Sequence, residues 1–315
     1  MLQITPESIA RAVEVLQNGG VVAFPTETVY GLGALAFDRV AVARIFDIKQ
    51  RPSFDPLIVH VLDRAMLAGV ASEFSSTAEA LAQRFWPGPL TLVLPKTPAV
   101  PGLVTAGLPS VAVRMPSHPV ARALLHGVGA PIAAPSANRF GTLSPTRAEH
   151  VARSLEASVA VILDGGPSLL GIESTIVGLT PAPMLLRPGA IPVESIEAVI
   201  GPLERSRSGG RPSAPGQLAR HYAPRTPLRL VDPGSVPLSE RRNAGALLLA
   251  GEVEGYQALR VLSRRGDLCE AAAGFFEALH ALDSLRLQRI DAQSMPAQGL
   301  GLAMMDRLPR AALNR

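Results

Sequence analysis

The chain has 315 residues, 47% hydrophobic and 18% charged, with a formal charge of +4 and a single cysteine. That length favours two domains, and the composition supplies packed cores and excludes disorder. No apolar run approaches the roughly 20 residues that span a bilayer, no leader pattern opens the sequence, and one thiol makes neither an internal disulfide nor a cysteine-based zinc site, which suits a reducing cytoplasm.

In chain order, Thr5 is expected to cap a helix with Pro6 at its first position, an apolar face of Ile9, Val13 and Leu16, and Gly19-Gly20 as its stop. Residues 21–24 read as a buried strand, Asp38 as the cap of a helix running to Ile48, and 57–61 as another strand. Further strands are predicted at 91–94, 111–115, 131–134, 160–163, 175–179 and 184–187, with helices near 76–85, 119–126 and 146–156. This is a mixed α/β sheet domain over residues 1–200. Between 201 and 227 glycine, proline, serine and arginine break the pattern, as in an extended linker. Strands at 228–231, 246–250, 258–262 and 289–292, a long helix over 267–282 and a last helix after Gly299 then make a smaller α/β domain, 228–315.

Polar clusters fall at strand ends, where open α/β sheets place their ligands. Pro25-Thr26-Glu27-Thr28-Val29-Tyr30-Gly31-Leu32-Gly33 reads as a tight turn or a binding loop. Lys49 and Arg51 form either a solvated face or a clamp on a polyphosphate. Alternation puts Leu57, Val59 and Val61 on one face of their strand and His60 on the other; Val111, Val113 and Met115 likewise oppose Arg114. Such a cation needs a partner: a structural carboxylate or an incoming one. Ser136, Asn138, Ser144 and Thr146 supply short hydrogen-bonding groups; Ser144 or Thr146 is expected to cap the following helix or to meet phosphate there. There is no Gly-x-Ser-x-Gly elbow, no His-Glu-x-x-His and no Cys/His metal spacing, so no metal ligand is assigned.

Taken together, Pro25–Gly33, Lys49-Gln50-Arg51-Pro52 with 56–60, Ser110–Pro116, Pro135-Ser136-Ala137-Asn138 with Ser144-Pro145-Thr146, 171–177, Leu186-Arg187-Pro188-Gly189 and Arg220-His221-Tyr222-Ala223-Pro224 occur in one order. The set resembles the L-threonylcarbamoyladenylate synthase family in its long two-domain form. That resemblance implies a twisted mixed-sheet YrdC-like catalytic domain, a linker that lids it, and a smaller Rossmann-like C-terminal domain. It implies a cytoplasmic nucleotidyltransferase that makes threonylcarbamoyl-AMP and pyrophosphate from L-threonine, bicarbonate and ATP, with Mg²⁺ on the nucleotide. The product would pass to the machinery that installs threonylcarbamoyl-adenosine in tRNA.

Carried over by position, the resemblance assigns Thr28, His60, Arg114, Ala134 and Ser174 to the threonine pocket. It assigns Lys49, Arg51, Asp55, Ser110, Ser136, Ser144, Arg187 and Tyr222 to ATP, with Lys49 and Arg51 catalytic through charge neutralisation as pyrophosphate leaves. Departures from the pattern are Asp55 for a common Asn, Phe140 for a frequent Ser, Gly178 for an acidic residue, and Pro215–Arg220 without the usual basic and aromatic residues. Two other readings compete. One is a weak RNA-binding module, which the 4% aromatic content disfavours; the other is carbamoyl transfer to a different acceptor.

Overall fold

The computed structural model describes residues 1–155, 158–205, 212–218 and 221–313. The elements run β1 (Leu2–Gln3), α1 (Pro6–Gln17), β2 (Val22–Phe24), β3 (Gly31–Leu35), α2 (Arg39–Lys49), β4 (Ile58–His60), α3 (Arg64–Ala68), α4 (Ser76–Phe85), β5 (Leu90–Pro95) and β6 (Ser110–Arg114). Then come α5 (Pro119–Val128), β7 (Ile132–Ala133), α6 (Ala148–Leu155), β8 (Val161–Asp164), β9 (Thr175–Gly178), β10 (Met184–Arg187), α7 (Val193–Ile200) and β11 (Glu204–Arg205). The remainder is β12 (Leu228–Leu230), α8 (Leu238–Arg241), β13 (Ala244–Leu248), β14 (Ala258–Val261), α9 (Leu268–Asp283), β15 (Arg289–Ala292) and α10 (Gly299–Ala312). Among the described residues no helix is long and apolar enough to cross a membrane.

Eleven strands form one mixed sheet in the order β1-β8-β2-β3-β7-β4-β6-β5-β9-β10-β11, and four form a parallel sheet, β12-β15-β13-β14. Local signals set many element ends. Thr5 Oγ1 accepts from Ser8 N at 3.2 Å and Ser8 Oγ accepts from Thr5 N at 2.9 Å, a reciprocal cap that fixes the start of α1. Asp267 accepts from the amides of Cys269 and Glu270 and caps α9, which begins where the helix over 267–282 was expected.

One expected cap is absent. Helix α6 starts at Ala148 and its first turn closes on the Arg147 carbonyl, leaving Ser144 and Thr146 outside it. β3 is a strand the sequence reading took as loop. A Cβ on Gly33 would stand 2.6 Å from the Phe24 ring and 2.7 Å from Ile132, so only glycine lets β2 and β7 flank it.

Alternation along β4 and β6 sends Val59, Val61, Val111 and Val113 into the main core, while Ile58 and Ala112 join a smaller cluster on the other face with Ile176 and Ala214. That opposite face carries His60 and Arg114. The core of the second unit includes Val29, Leu143, Ile172 and Tyr222 from the first unit and linker, so the second unit is seated on the loops above the sheet.

Candidate functional site

β4 and β6 are parallel neighbours with His60 opposite Arg114, and Arg114 is opposite Thr91 on β5. The register therefore delivers an imidazole and a guanidinium to the same end of adjacent parallel strands. They border a cavity whose walls include Thr28, Ala134, Ser136, Ser174, Arg51, Arg187, Glu173, Gly216, His221 and Tyr222. All five positions expected for threonine line it, and so do Arg51, Ser136, Arg187 and Tyr222 from the nucleotide set.

Four expected residues do not reach that lining. Lys49 is buried, and its Nζ donates to the carbonyls of Ser136 and Asn138, so the ammonium braces the Ser136 loop from behind. This overturns the solvated-face reading. Burial, reinforced by the nearby Arg51 charge and opposed by Asp55, pushes the Lys49 pKa far down. Asp55 pairs with Arg51 at 2.9 Å, and Arg51 also donates to the carbonyls of Asp55 and Pro56. Burial raises the Asp55 carboxyl while Arg51, Lys49 and Arg187 pull it back. Ser110 begins β6, paired with Pro95 at the far end from Arg114. Ser144 donates its hydroxyl to Glu173.

Of the two partners left open for Arg114, the structure supplies the structural carboxylate. Arg114 forms a buried ion pair with Glu27 at 2.7 Å, donates to Thr28 Oγ1 at 2.8 Å and to the Gly88 carbonyl at 3.3 Å, and still borders the cavity. Burial raises the Glu27 carboxyl, but the charge and hydrogen bond of Arg114, with backbone donors, outweigh it and hold the pKa low. His60 is pushed down to about 3, first by burial and then by Arg114. It is a neutral ring with Phe24 edge-on at 6.4 Å, and its Nδ1 lacks a protein partner. Arg187 donates to the Ser174 carbonyl and hydroxyl at 2.9 and 3.1 Å and to the Pro215 carbonyl at 3.2 Å; Thr91 bonds the same hydroxyl at 2.8 Å.

The linker crosses this cavity. Gly216 has φ +84°, and a Cβ there would come 2.7 Å from Tyr222 Oη. Tyr222 itself has φ +63°, is 1% exposed and has its hydroxyl pushed up to about 12 by burial and Glu173. His221 packs edge-on against Phe140 at 5.6 Å, which gives the unusual aromatic a function in holding the linker. Arg220 of the linker motif lies outside the described residues.

Two partners were not named from sequence. Glu27 sits inside a recognised motif, but nothing local marks it as the Arg114 counter-ion. Arg307, on α10, is wholly buried 134 residues from its partner Glu173, which it meets at 3.0 Å; it also donates to the carbonyls of Pro188 and Ala303, and its guanidinium lies 5.4 Å from the Tyr222 ring centre.

The sequence and fold match those of known proteins. A family profile described as "Telomere recombination" matches residues 14–189, and one described as "Threonylcarbamoyl-AMP synthase, C-terminal domain" matches 191–313. The chain is 44% identical to the threonylcarbamoyl-AMP synthase of Bacillus subtilis, covering all of this chain and 95% of that one. This chain belongs to the threonylcarbamoyl-AMP synthase family. Its similarity to the Pyrococcus abyssi threonylcarbamoyl-AMP synthase is also 44%, over 96% of this chain and 93% of that protein. A crystal structure of P. abyssi Sua5 complexed with L-threonine superposes with a TM-score of 0.92 at 40% identity, covering 99% and 96% of the two chains. The shorter E. coli YciO structure matches with a TM-score of 0.53 at 29% identity, over 59% of this chain and 90% of that one.

Proposed function

We infer that the chain is a threonylcarbamoyl-AMP synthase, an enzyme that joins L-threonine, bicarbonate and ATP into threonylcarbamoyl-AMP, with release of pyrophosphate and water. The observation that carries this reading is the pairing of His60 with Arg114 on neighbouring parallel strands, ringed by Thr28, Ala134 and Ser174. The family name of the relatives and the threonine reported in the superposing archaeal structure support it.

In this reading Arg114 receives the threonine carboxylate in bidentate fashion, at the expense of part of its contact with Glu27. Thr28 and Ser174 present hydroxyls, and Ala134 leaves room for the side chain. His60, neutral and with a free Nδ1, accepts a hydrogen bond; a group with a pKa near 3 is too weak a base to hold a proton at neutral pH, so we assign it to binding. The threonine amine adds to bicarbonate with loss of water. The resulting carbamate oxygen attacks the α-phosphorus of ATP, and the bond to the β-phosphate bridge breaks.

Arg51 and Arg187 stabilise the charge that gathers on pyrophosphate, and Ser136 donates to a phosphate oxygen. Lys49 and Asp55 act one step back, bracing the Ser136 loop and aiming Arg51. Mg²⁺ arrives as part of the nucleotide substrate, liganded by phosphate oxygens and water. The carboxylates nearest the cavity, Glu27, Asp55 and Glu173, are each paired with an arginine.

We take residues 1–200 as the catalytic domain, 201–227 as the lid and 228–315 as the domain that supports the lid. Tyr222 and His221 close over the nucleotide and exclude water from the carbamate and the mixed anhydride. A second archaeal structure carries alanines at an adjacent His and Tyr, and this chain has one His-Tyr pair, at 221–222. The product is handed, in the cytoplasm, to the transferase machinery that modifies tRNA. Calorimetric titration tests the pocket: L-threonine binds the wild type and fails to bind Arg114→Ala. Equal affinity in both proteins would reject the assignment.

A further inference from the structure

A second concave region lies between the two units, away from the catalytic cavity. It has a volume of about 360 Å³, within the range of pockets that take small-molecule ligands. One wall is the α6 face bearing His150, Arg153 and Ser154, which the i, i+3, i+4 spacing places together. The opposite wall is the end of α9, with His280, Asp283 and Ser284. Arg139 and Arg225 complete it.

The charges in this cleft do not balance. Three guanidiniums line it against one carboxylate, Asp283, which already accepts from Thr226 N at 2.7 Å and from Arg225 at 3.5 Å. Among the described residues neither Arg139 nor Arg153 has an ion pair. Arg139 enters its hydrogen bonds through its backbone, the amide donating to Ser154 Oγ at 2.9 Å and the carbonyl accepting from Asn138 and Thr142. The two histidines stack at 3.8 Å, and burial pushes both below their ordinary value, so neither contributes charge near neutrality. Arginines without carboxylate partners around a concave cleft match the planar, multidentate recognition of phosphate.

We propose that this cleft is a second anion site, separate from the catalytic cavity, that takes a small polyphosphate-bearing ligand. Its position gives the ligand a route to the lid. Ala223, which borders the cleft, follows Tyr222 directly; its amide donates to the Gly141 carbonyl at 2.8 Å and it bridges Thr142. A ligand held by Arg139 and Arg153 from the first unit and Arg225 from the linker, against the α9 wall of the second unit, ties all three together at the base of the lid.

Calorimetric titration of the full chain with inorganic tripolyphosphate tests this. The wild type is expected to bind an equivalent that Arg153→Glu and the Arg139→Ala/Arg153→Ala pair weaken tenfold or more, because each removes charge-assisted hydrogen bonds to the anion. Arg153 is exposed on α6, so Arg153→Glu should keep the wild-type circular dichroism, L-threonine affinity and activity without polyphosphate. The same tripolyphosphate isotherm for wild type and both variants would overturn the proposal. So would a variant-sensitive response to a short RNA but none to tripolyphosphate, which would make the cleft a macromolecular contact.

Discussion

Replacing Arg307 by methionine removes a charge that the structure holds at zero exposure between Glu173, the Pro188 carbonyl and the Ala303 carbonyl. Methionine keeps much of the volume, so the main cost is electrostatic. Glu173 is 6% exposed and would keep only the Ser144 hydroxyl as a strong donor. Breaking a buried pair from one side costs about 3–5 kcal/mol because the remaining charge is stranded. Neutralising that charge as well, in Arg307→Met/Glu173→Gln, should recover much of the loss.

Urea denaturation of the wild type, both single variants and the double variant gives the coupling directly, and the account expects it to exceed about 1 kcal/mol. The single Arg307→Met protein should also lose turnover, because Glu173 and Tyr222 both border the catalytic cavity. A coupling near zero, or full activity in Arg307→Met, would show that the link between the second unit and the cavity wall has been misjudged.

Three other outcomes follow. Arg114→Lys keeps a charge but loses the planar fork, so the KM for threonine should rise by roughly tenfold or more with a smaller change in KM for ATP; parallel rises in both would contradict the carboxylate assignment. Gly216→Ala combines φ +84° with a 2.7 Å approach to Tyr222 Oη, a backbone cost of about 1–2 kcal/mol before any clash, and should raise the KM for ATP more than that for threonine. His60, His150 and His280 have pKa values lowered to about 3, 3 and 4 from 6.5, so the unfolded chain binds more protons between those values. Stability should therefore fall steadily from pH 6.5 towards 4, and denaturant midpoints unchanged over that range would refute the burial argument.

The strands that carry the site were legible because their periodicity is strict: Val59 and Val113 point into the core and force His60 and Arg114 to the other side. Helix starts with a capping acid or hydroxyl, at Thr5 and Asp38, were legible from equally local signals. β3 was hidden because its sequence, Gly-Leu-Gly-Ala-Leu, has glycines chosen for contact with Phe24 and Ile132 and so resembles a turn. Helix α7 went unmarked because Pro192 precedes it without a side-chain cap.

Long-range partners were beyond reach. Nothing near Arg114 in sequence points to Glu27, and nothing near Glu173 points to Arg307. Lys49 differs: beside Arg51 it reads as a solvated face or as part of a phosphate clamp, and tertiary packing instead buries it against two carbonyls.

The central claim is the reaction itself. Mass spectrometry of the full chain incubated with ATP, Mg²⁺, L-threonine and bicarbonate should detect threonylcarbamoyl-AMP, formed in step with pyrophosphate and absent when threonine or bicarbonate is left out. Pyrophosphate release that is indifferent to threonine, or the absence of that adenylate under complete conditions, would contradict the account.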